Sequence, residues 1–174
     1  MLHLGCGPVD HPGFINVDGF PYPHVHFVRS LDDLSPFADE SISLVYASHC
    51  LEHFRMSELP GILGEWRRVL KPSGVLRLSV PDFDLILKIY EAEARAVDGI
   101  WQPLLGGQDS LYNFHFAIFT ESSLTTLLVD GGFSKVQRWS AGTDELTSLP
   151  DWSGMPIVIE GRSYPISLNL EAIR

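Results

Sequence analysis

The sequence has only two cysteines, Cys6 and Cys50, too few for a disulfide framework, so a reducing cytoplasm is the expected compartment. No apolar run approaches the roughly 18 to 20 residues needed to span a bilayer, so no membrane segment is expected. The N-terminus lacks the basic and long apolar stretches of a signal peptide. Positive charge is scarce: 12 Lys and Arg stand against 22 Asp and Glu, for a formal charge of -10. Nucleic acid is therefore not an expected partner, because phosphate backbones are bound through Lys and Arg that release counterions. Repeats and low-complexity tracts are also missing. What remains is 174 residues, 45% hydrophobic and 20% charged, which is enough core for one globular domain over residues 1–174.

Five short apolar runs mark strands: Met1 to Leu4, Phe14 to Asp18, Val25 to Val28, Ser41 to Ala47 and Gly74 to Val80. Runs this short and this rich in branched residues suit a parallel sheet covered on both faces. Leu59, Ile62, Leu63, Trp66, Val69 and Leu70 recur at helical spacing, with Ser57 as N-cap and Pro60 in the first turn. Lys71 to Gly74 ends that helix and turns the chain into the fifth strand. Further helices are expected around Phe83 to Tyr90 and Leu124 to Leu128, the latter closed by Gly131 and Gly132. Lys135 to Trp139 and Pro165 to Leu170 complete the chain as a strand pair. The pattern describes an open α/β sheet, mostly parallel with an antiparallel terminal strand pair, in a three-layer α/β/α arrangement.

In such sheets ligands bind beyond the carboxyl ends of the strands, which directs attention to the residues that follow each run. Gly5-Cys6-Gly7 is a Gly-x-Gly turn after the first strand, and glycine lets a ligand approach without meeting a Cβ. Asp18 ends the second strand, where a carboxylate can accept hydrogen bonds from a ribose diol. A dinucleotide loop needs a third glycine, but position 10 is Asp, whose charge would repel a diphosphate. The linker to the second strand is also too short for the usual helix. A nucleoside cofactor without a phosphate fits better than a nicotinamide dinucleotide.

Leu2 to Gly7, Ile15 to Asp18, Ser48-His49-Cys50-Leu51-Glu52-His53 and Trp66 to Gly74 together resemble the class I S-adenosylmethionine-dependent methyltransferases, in particular the compact type 11 group. The likeness runs from the start to about residue 82, with a weaker echo over Phe114 to Phe133 and near the end. It implies a Rossmann-like fold with S-adenosyl-L-methionine as cofactor. Carried over to this sequence, Gly5, Cys6 and Gly7 would pass the methionine part and Asp18 would bind the ribose. Ser30 and Leu31 would flank adenine, with Ser30 standing where the family has Asp. Ser48 and His49 would face the sulfonium end. The shortened first connection implies a site that is open on the adenine and substrate sides or closed by a partner chain, a homodimer included.

The activated methyl needs an aligned nucleophile, and a base only when the acceptor arrives protonated. His49, His53 and His115 are the candidate bases, because imidazole titrates near neutrality, with His49 the best placed and His49 and His115 taken as the catalytic residues. His115 sits in the aromatic stretch Tyr112 to Phe116, and residues 106–118 read as a lid or acceptor wall. His49 and His53 would share a face if their segment were helical. The pair lacks a third ligand, so no metal is expected. Glu52 and Asp82 are candidates for orienting an acceptor, with a solvated surface position as the commoner fate of such carboxylates. The expected function is methyl transfer to a small-molecule or glycan-related acceptor. The alternative is a non-catalytic cofactor-binding or partner module of the same fold.

Overall fold

The computed structural model describes residues 1–144 and 147–174. Strands β1 (Leu2–Leu4), β2 (Ile15–Asp18), β3 (Phe27–Val28), β4 (Ile42–Ser48) and β5 (Leu70–Pro81) pair in parallel. Beyond them lie β6 (Ser134–Arg138), a small hairpin of β7 (Ile157–Ile159) and β8 (Arg162–Tyr164), and β9 (Ser167–Ile173). The main sheet has the order β3-β2-β1-β4-β5-β9-β6, with β9 antiparallel to both of its neighbours. Four helices accompany it among the described residues: α1 (Leu59–Val69), α2 (Phe83–Ala92), α3 (Trp101–Leu105) and α4 (Glu121–Asp130).

The main core follows from two periods. Alternate strand residues, among them Leu2, Leu4, Val45, Ala47, Leu76 and Leu78, point to one face. There they meet the buried stripe of α1 (Leu59, Ile62, Leu63, Trp66, Val69) and Leu124 and Leu128 of α4. Each large aliphatic side chain buried this way contributes on the order of 1.5–3 kcal/mol. The opposite face is built differently. Its strand residues include His3, Tyr46, Arg77, Ser79, Asn169 and Glu171, and the chain after β6 is tied across them by polar contacts. Tyr46 donates to Asp151 Oδ2 at 2.7 Å, Arg77 pairs with Asp144 and Glu171, and Asn169 donates to the Ser153 carbonyl at 2.9 Å. A smaller apolar cluster of Phe14, Leu44, Tyr46 and Leu149 completes this layer. The sheet is thus mostly parallel with an antiparallel terminal pair, as expected, and its second layer is largely loop.

Two local expectations change. Glu58, not Ser57, is the N-cap of α1, and it makes no side-chain cap; Pro60 sits in the first turn as expected. Residues Lys71 to Gly74 do break the helix, but as an irregularity inside β5, whose pairing with β4 jumps between Ile42 and Leu44. The β7–β8 hairpin and α3 carry no sequence pattern strong enough to have been anticipated. The strand order reverses at β1, between β2 on one side and β4 on the other, and this places a crevice beyond the carboxyl ends of those strands.

Candidate functional site

Two cavities meet at that crevice. The larger, about 690 Å³, is bounded by Gly5, Gly7, Asp18, Ser30, Leu31 and His49, with residues 109–113 opposite. Its size falls within the range of small-molecule and cofactor sites. The smaller, about 220 Å³, is bounded by Pro81, Trp152, Ile166 and three histidines, His49, His53 and His115. His49 and His53 line both, so the two spaces share a wall at the end of β4.

The loop after β1 turns through Gly5 and Gly7, both at left-handed φ (+63° and +52°). A Cβ on Gly7 would meet nothing within 4 Å, which leaves this stretch of backbone bare toward the larger cavity. On Gly5 a Cβ would lie 2.3 Å from Cys50 Sγ, so that glycine is required by packing as well as by conformation. Asp18 is buried at the tip of β2, and its two oxygens accept from the Gly7 and Phe20 amides, each at 2.8 Å. An ionised carboxylate has about four lone-pair sites, so two remain for hydroxyls in the cavity. Asp10, the residue in place of a third glycine, accepts from Asn16 Nδ2 at 3.3 Å and serves the loop itself. Leu31 is anchored through its carbonyl, which accepts from Trp66 Nε1 at 2.8 Å.

Cys6 and Ser48 are buried and do not line either cavity. Burial, with the Asp18 charge nearby, pushes the Cys6 thiol up to about 12, so it stays protonated and unreactive at neutral pH. Residues not singled out from sequence are Phe20 and Tyr22, which line the larger cavity. Phe20 meets Tyr112 edge-on with centroids 5.2 Å apart, so the segment after α3 reaches the tip of β2. Aromatic residues in a loop carry no periodicity, and only the clustering of Tyr112 to Phe116 hinted at this contact.

The wall between the cavities is polar. His49 has a left-handed backbone (φ +51°), and the chain then makes a single 3₁₀ turn over Leu51–His53, so no helix aligns His49 with His53. His49 Nδ1 lies 3.2 Å from Glu52 Oε1, and its Nε2 lies 2.8 Å from Ser167 Oγ. Glu52 is fully buried, and neither carboxylate oxygen receives a well-aligned hydrogen bond. Burial alone would raise its carboxyl, but the His49 imidazole and the charges of His53 and His115 outweigh it and hold the group below its ordinary value. The Glu52 carbonyl accepts from the Phe116 and Ala117 amides at 2.8 and 3.2 Å, which docks residues 114–117 here and delivers His115. The His53 and His115 rings meet with centroids 4.9 Å apart. Burial lowers the His115 imidazole below its usual value, with the Glu52 charge opposing. Of the two carboxylates, Glu52 faces inward rather than solvent. Asp82 is buried as the N-cap of α2, accepting from the Asp84 and Leu85 amides, and it lines neither cavity.

Comparison with known proteins agrees with this architecture. The methyltransferase domain family matches residues 16–78, the stretch from β2 into β5. A ubiquinone/menaquinone biosynthesis C-methyltransferase of Vibrio vulnificus is 30% identical over 95 residues, 53% of this chain. The chain spans about a third of the length of that curated relative (33%). Among solved structures, an S-adenosylmethionine-dependent methyltransferase from Archaeoglobus fulgidus superposes with a TM-score of 0.60 at 16% identity, covering 99% of this chain and 85% of the other. One from Methanosarcina mazei gives 0.59 at 19% identity, covering 99% and 91%. A Burkholderia thailandensis 1,6-didemethyltoxoflavin N1-methyltransferase, solved with its substrate and S-adenosylhomocysteine, gives 0.55 at 17% identity, covering 92% and 60%. The chain has the fold of the class I methyltransferases. Its sequence likeness to the methyltransferase domain family runs from β2 into β5. No helix among the described residues is long and apolar enough to cross a membrane.

Proposed function

We propose that this chain is an S-adenosylmethionine-dependent methyltransferase that holds the donor in the larger cavity and a small-molecule acceptor in the smaller one. The observation that carries this reading is the shared wall: His49 and His53 line both spaces, so a donor and an acceptor would meet there. The donor supplies a methyl already activated on a sulfonium, with a neutral thioether as leaving group. The residues present fit it. Gly5 to Gly7 offer bare backbone, Asp18 keeps acceptor capacity for ribose hydroxyls, and Ser30 and Leu31 border the adenine side. No helix N-terminus follows β1 to receive a diphosphate, which argues against a dinucleotide.

The chain's own contribution is then positioning and proton handling. Alignment of the acceptor and exclusion of water can supply on the order of 7–11 kcal/mol in favourable cases. His49 is the proposed base for a protonated acceptor: Glu52 holds its Nδ1, and its Nε2 takes the proton once Ser167, whose hydroxyl hydrogen goes to the Trp152 carbonyl, is displaced from that nitrogen by the acceptor. His115 faces the acceptor from the opposite wall, and residues 106–118 form that wall as part of one domain over residues 1–174. The acceptor class extends to glycan-related molecules by likeness to compact relatives.

The test is incubation of the purified chain with methyl-labelled donor and a panel of hydroxyl, amine and carbon acceptors. Labelled product with release of S-adenosylhomocysteine is expected. Donor binding without turnover on any acceptor would favour the non-catalytic module, and failure to bind S-adenosylhomocysteine would remove the reading altogether.

A further inference from the structure

Glu52 is only partly provided for by the methyl-transfer reading, which pairs its Oε1 with His49 Nδ1 at 3.2 Å. A carboxylate removed from water costs several kcal/mol unless it is paired or hydrogen-bonded. Glu52 is fully buried, yet no amide or hydroxyl donates to it in good alignment. What surrounds it is imidazole. A nitrogen of His53, a nitrogen of His115 and an oxygen of Glu52 all lie within 4.8 Å of one another.

The two imidazoles are also oriented. His53 Nδ1 lies 3.1 Å from the Phe114 carbonyl, and His115 Nδ1 lies 3.0 Å from the Pro103 carbonyl. A carbonyl only accepts, so each Nδ1 must carry the hydrogen, and each Nε2 is left with its lone pair. Backbone carbonyls holding the far nitrogen of each imidazole are the usual outer shell of a metal-binding histidine. Two imidazoles and one carboxylate leave coordination positions open, and this donor set suits a first-row divalent transition cation.

We propose that Glu52, His53 and His115 bind one such cation, with zinc, manganese or iron(II) as the class, and that its open positions face the smaller cavity. There it would hold and orient an acceptor oxygen or nitrogen. That role rests on the methyl-transfer reading; binding of the ion does not. Ligands at about 2.1 Å from one ion are at most about 4.2 Å apart, so the three donors would draw in slightly from their present spacing. From sequence only His49 and His53 suggested a pair, with no third ligand. The fold instead joins His53 to His115, 62 positions away, through the docking of residues 114–117 on the Glu52 carbonyl.

The test uses the full chain stripped with a chelator and titrated with Zn²⁺, Mn²⁺ and Co²⁺ by calorimetry, with the visible spectrum of the Co²⁺ form recorded. One equivalent is expected to bind, with a Co²⁺ absorption indicating nitrogen and oxygen ligands. His53→Ala and His115→Ala should each weaken binding by at least tenfold, whereas His11→Ala, away from the cluster, should leave it unchanged. Circular dichroism checks folding, and His53→Gln and Glu52→Gln replace any variant that fails it. No saturable binding, or binding equally strong in folded His53 and His115 variants, overturns the site. A parallel titration with S-adenosylhomocysteine separates the two ideas. An ion bound without S-adenosylhomocysteine binding leaves the metal site and removes the donor reading, and the reverse result does the opposite.

Discussion

A Cβ on Gly5 would lie 2.3 Å from Cys50 Sγ while forcing an L side chain into left-handed backbone. The left-handed conformation alone costs roughly 1–2 kcal/mol for a residue with a Cβ. Gly5→Ala should therefore lower unfolding free energy by at least about 2 kcal/mol in a urea titration. Adding Cys50→Ala should restore the part due to overlap and leave the conformational part, so the two substitutions should not be additive. Asp18 tests a different point. Its oxygens already hold the Gly7 and Phe20 amides, so Asp18→Ala should disturb the loop as well as the ribose contact. Binding of S-adenosylhomocysteine should weaken by about 1–3 kcal/mol by calorimetry, and unchanged affinity would place the sugar elsewhere. His49→Ala should slow methyl transfer more than it weakens donor binding; equal losses would assign the imidazole a structural role. At this scale the sequence was informative where a residue's type limits its use, as with Gly7 and Asp18 at strand ends. It named Glu52 as a candidate but gave it a solvated position, because its burial depends on the docking of residues 114–117, which bring His115 from 63 positions away.

Strands and helices show the same division. β4 and β5, with α1, α2 and α4, were legible because their apolar residues repeat with period two or near 3.6 over enough length, and the short β1 and β2 because an apolar run ends there on a glycine turn or an acid. β7, β8 and α3 span only three to five residues each, too short for a period to register. The layer formed after β6 was also hidden, since it is held by polar pairs that leave no hydrophobic pattern. Tyr46 is the clearest of these ties, donating from a fully buried ring to Asp151 at 2.7 Å. Trp152, the next residue, borders the smaller cavity, and its carbonyl accepts from Ser167. Tyr46→Phe keeps the ring and removes the hydrogen bond to a charged group, a loss of about 1.5–3 kcal/mol. Hydrogen exchange should quicken for the amides of residues 151–155, with little change in α1 or α4. Uniform exchange across the chain would show that this segment is not a separate cooperative unit.

For the molecule as a whole, the polar second face links stability to pH through His3. The ring is 1% exposed, edge-on to Phe14 and tilted against Tyr46. Burial, reinforced by the neighbouring His11 and His24, lowers its pKa from 6.5 to about 4, with Asp151 opposing. The unfolded chain therefore binds a proton at His3 in a range where the folded chain does not. The neutral ring's contribution is fully present above pH 6.5 and is lost as pH falls from 6.5 toward 4. The full loss amounts to about 3 kcal/mol, at 1.36 kcal/mol per pKa unit. Carboxylates ordinarily titrate at or below the acid end of this window, so most of it is free of them, while His115, also lowered, adds a slope of the same sign. His3→Leu removes the first contribution and keeps the second. Denaturant unfolding measured at intervals from pH 7 to 4 should thus show a flatter profile for His3→Leu than for the parent chain. As pH falls the parent should lose up to about 3 kcal/mol relative to His3→Leu, because only the parent has this buried imidazole to protonate. Parallel profiles across this range would mean that His3 is protonated inside the fold, with Asp151 compensating its burial.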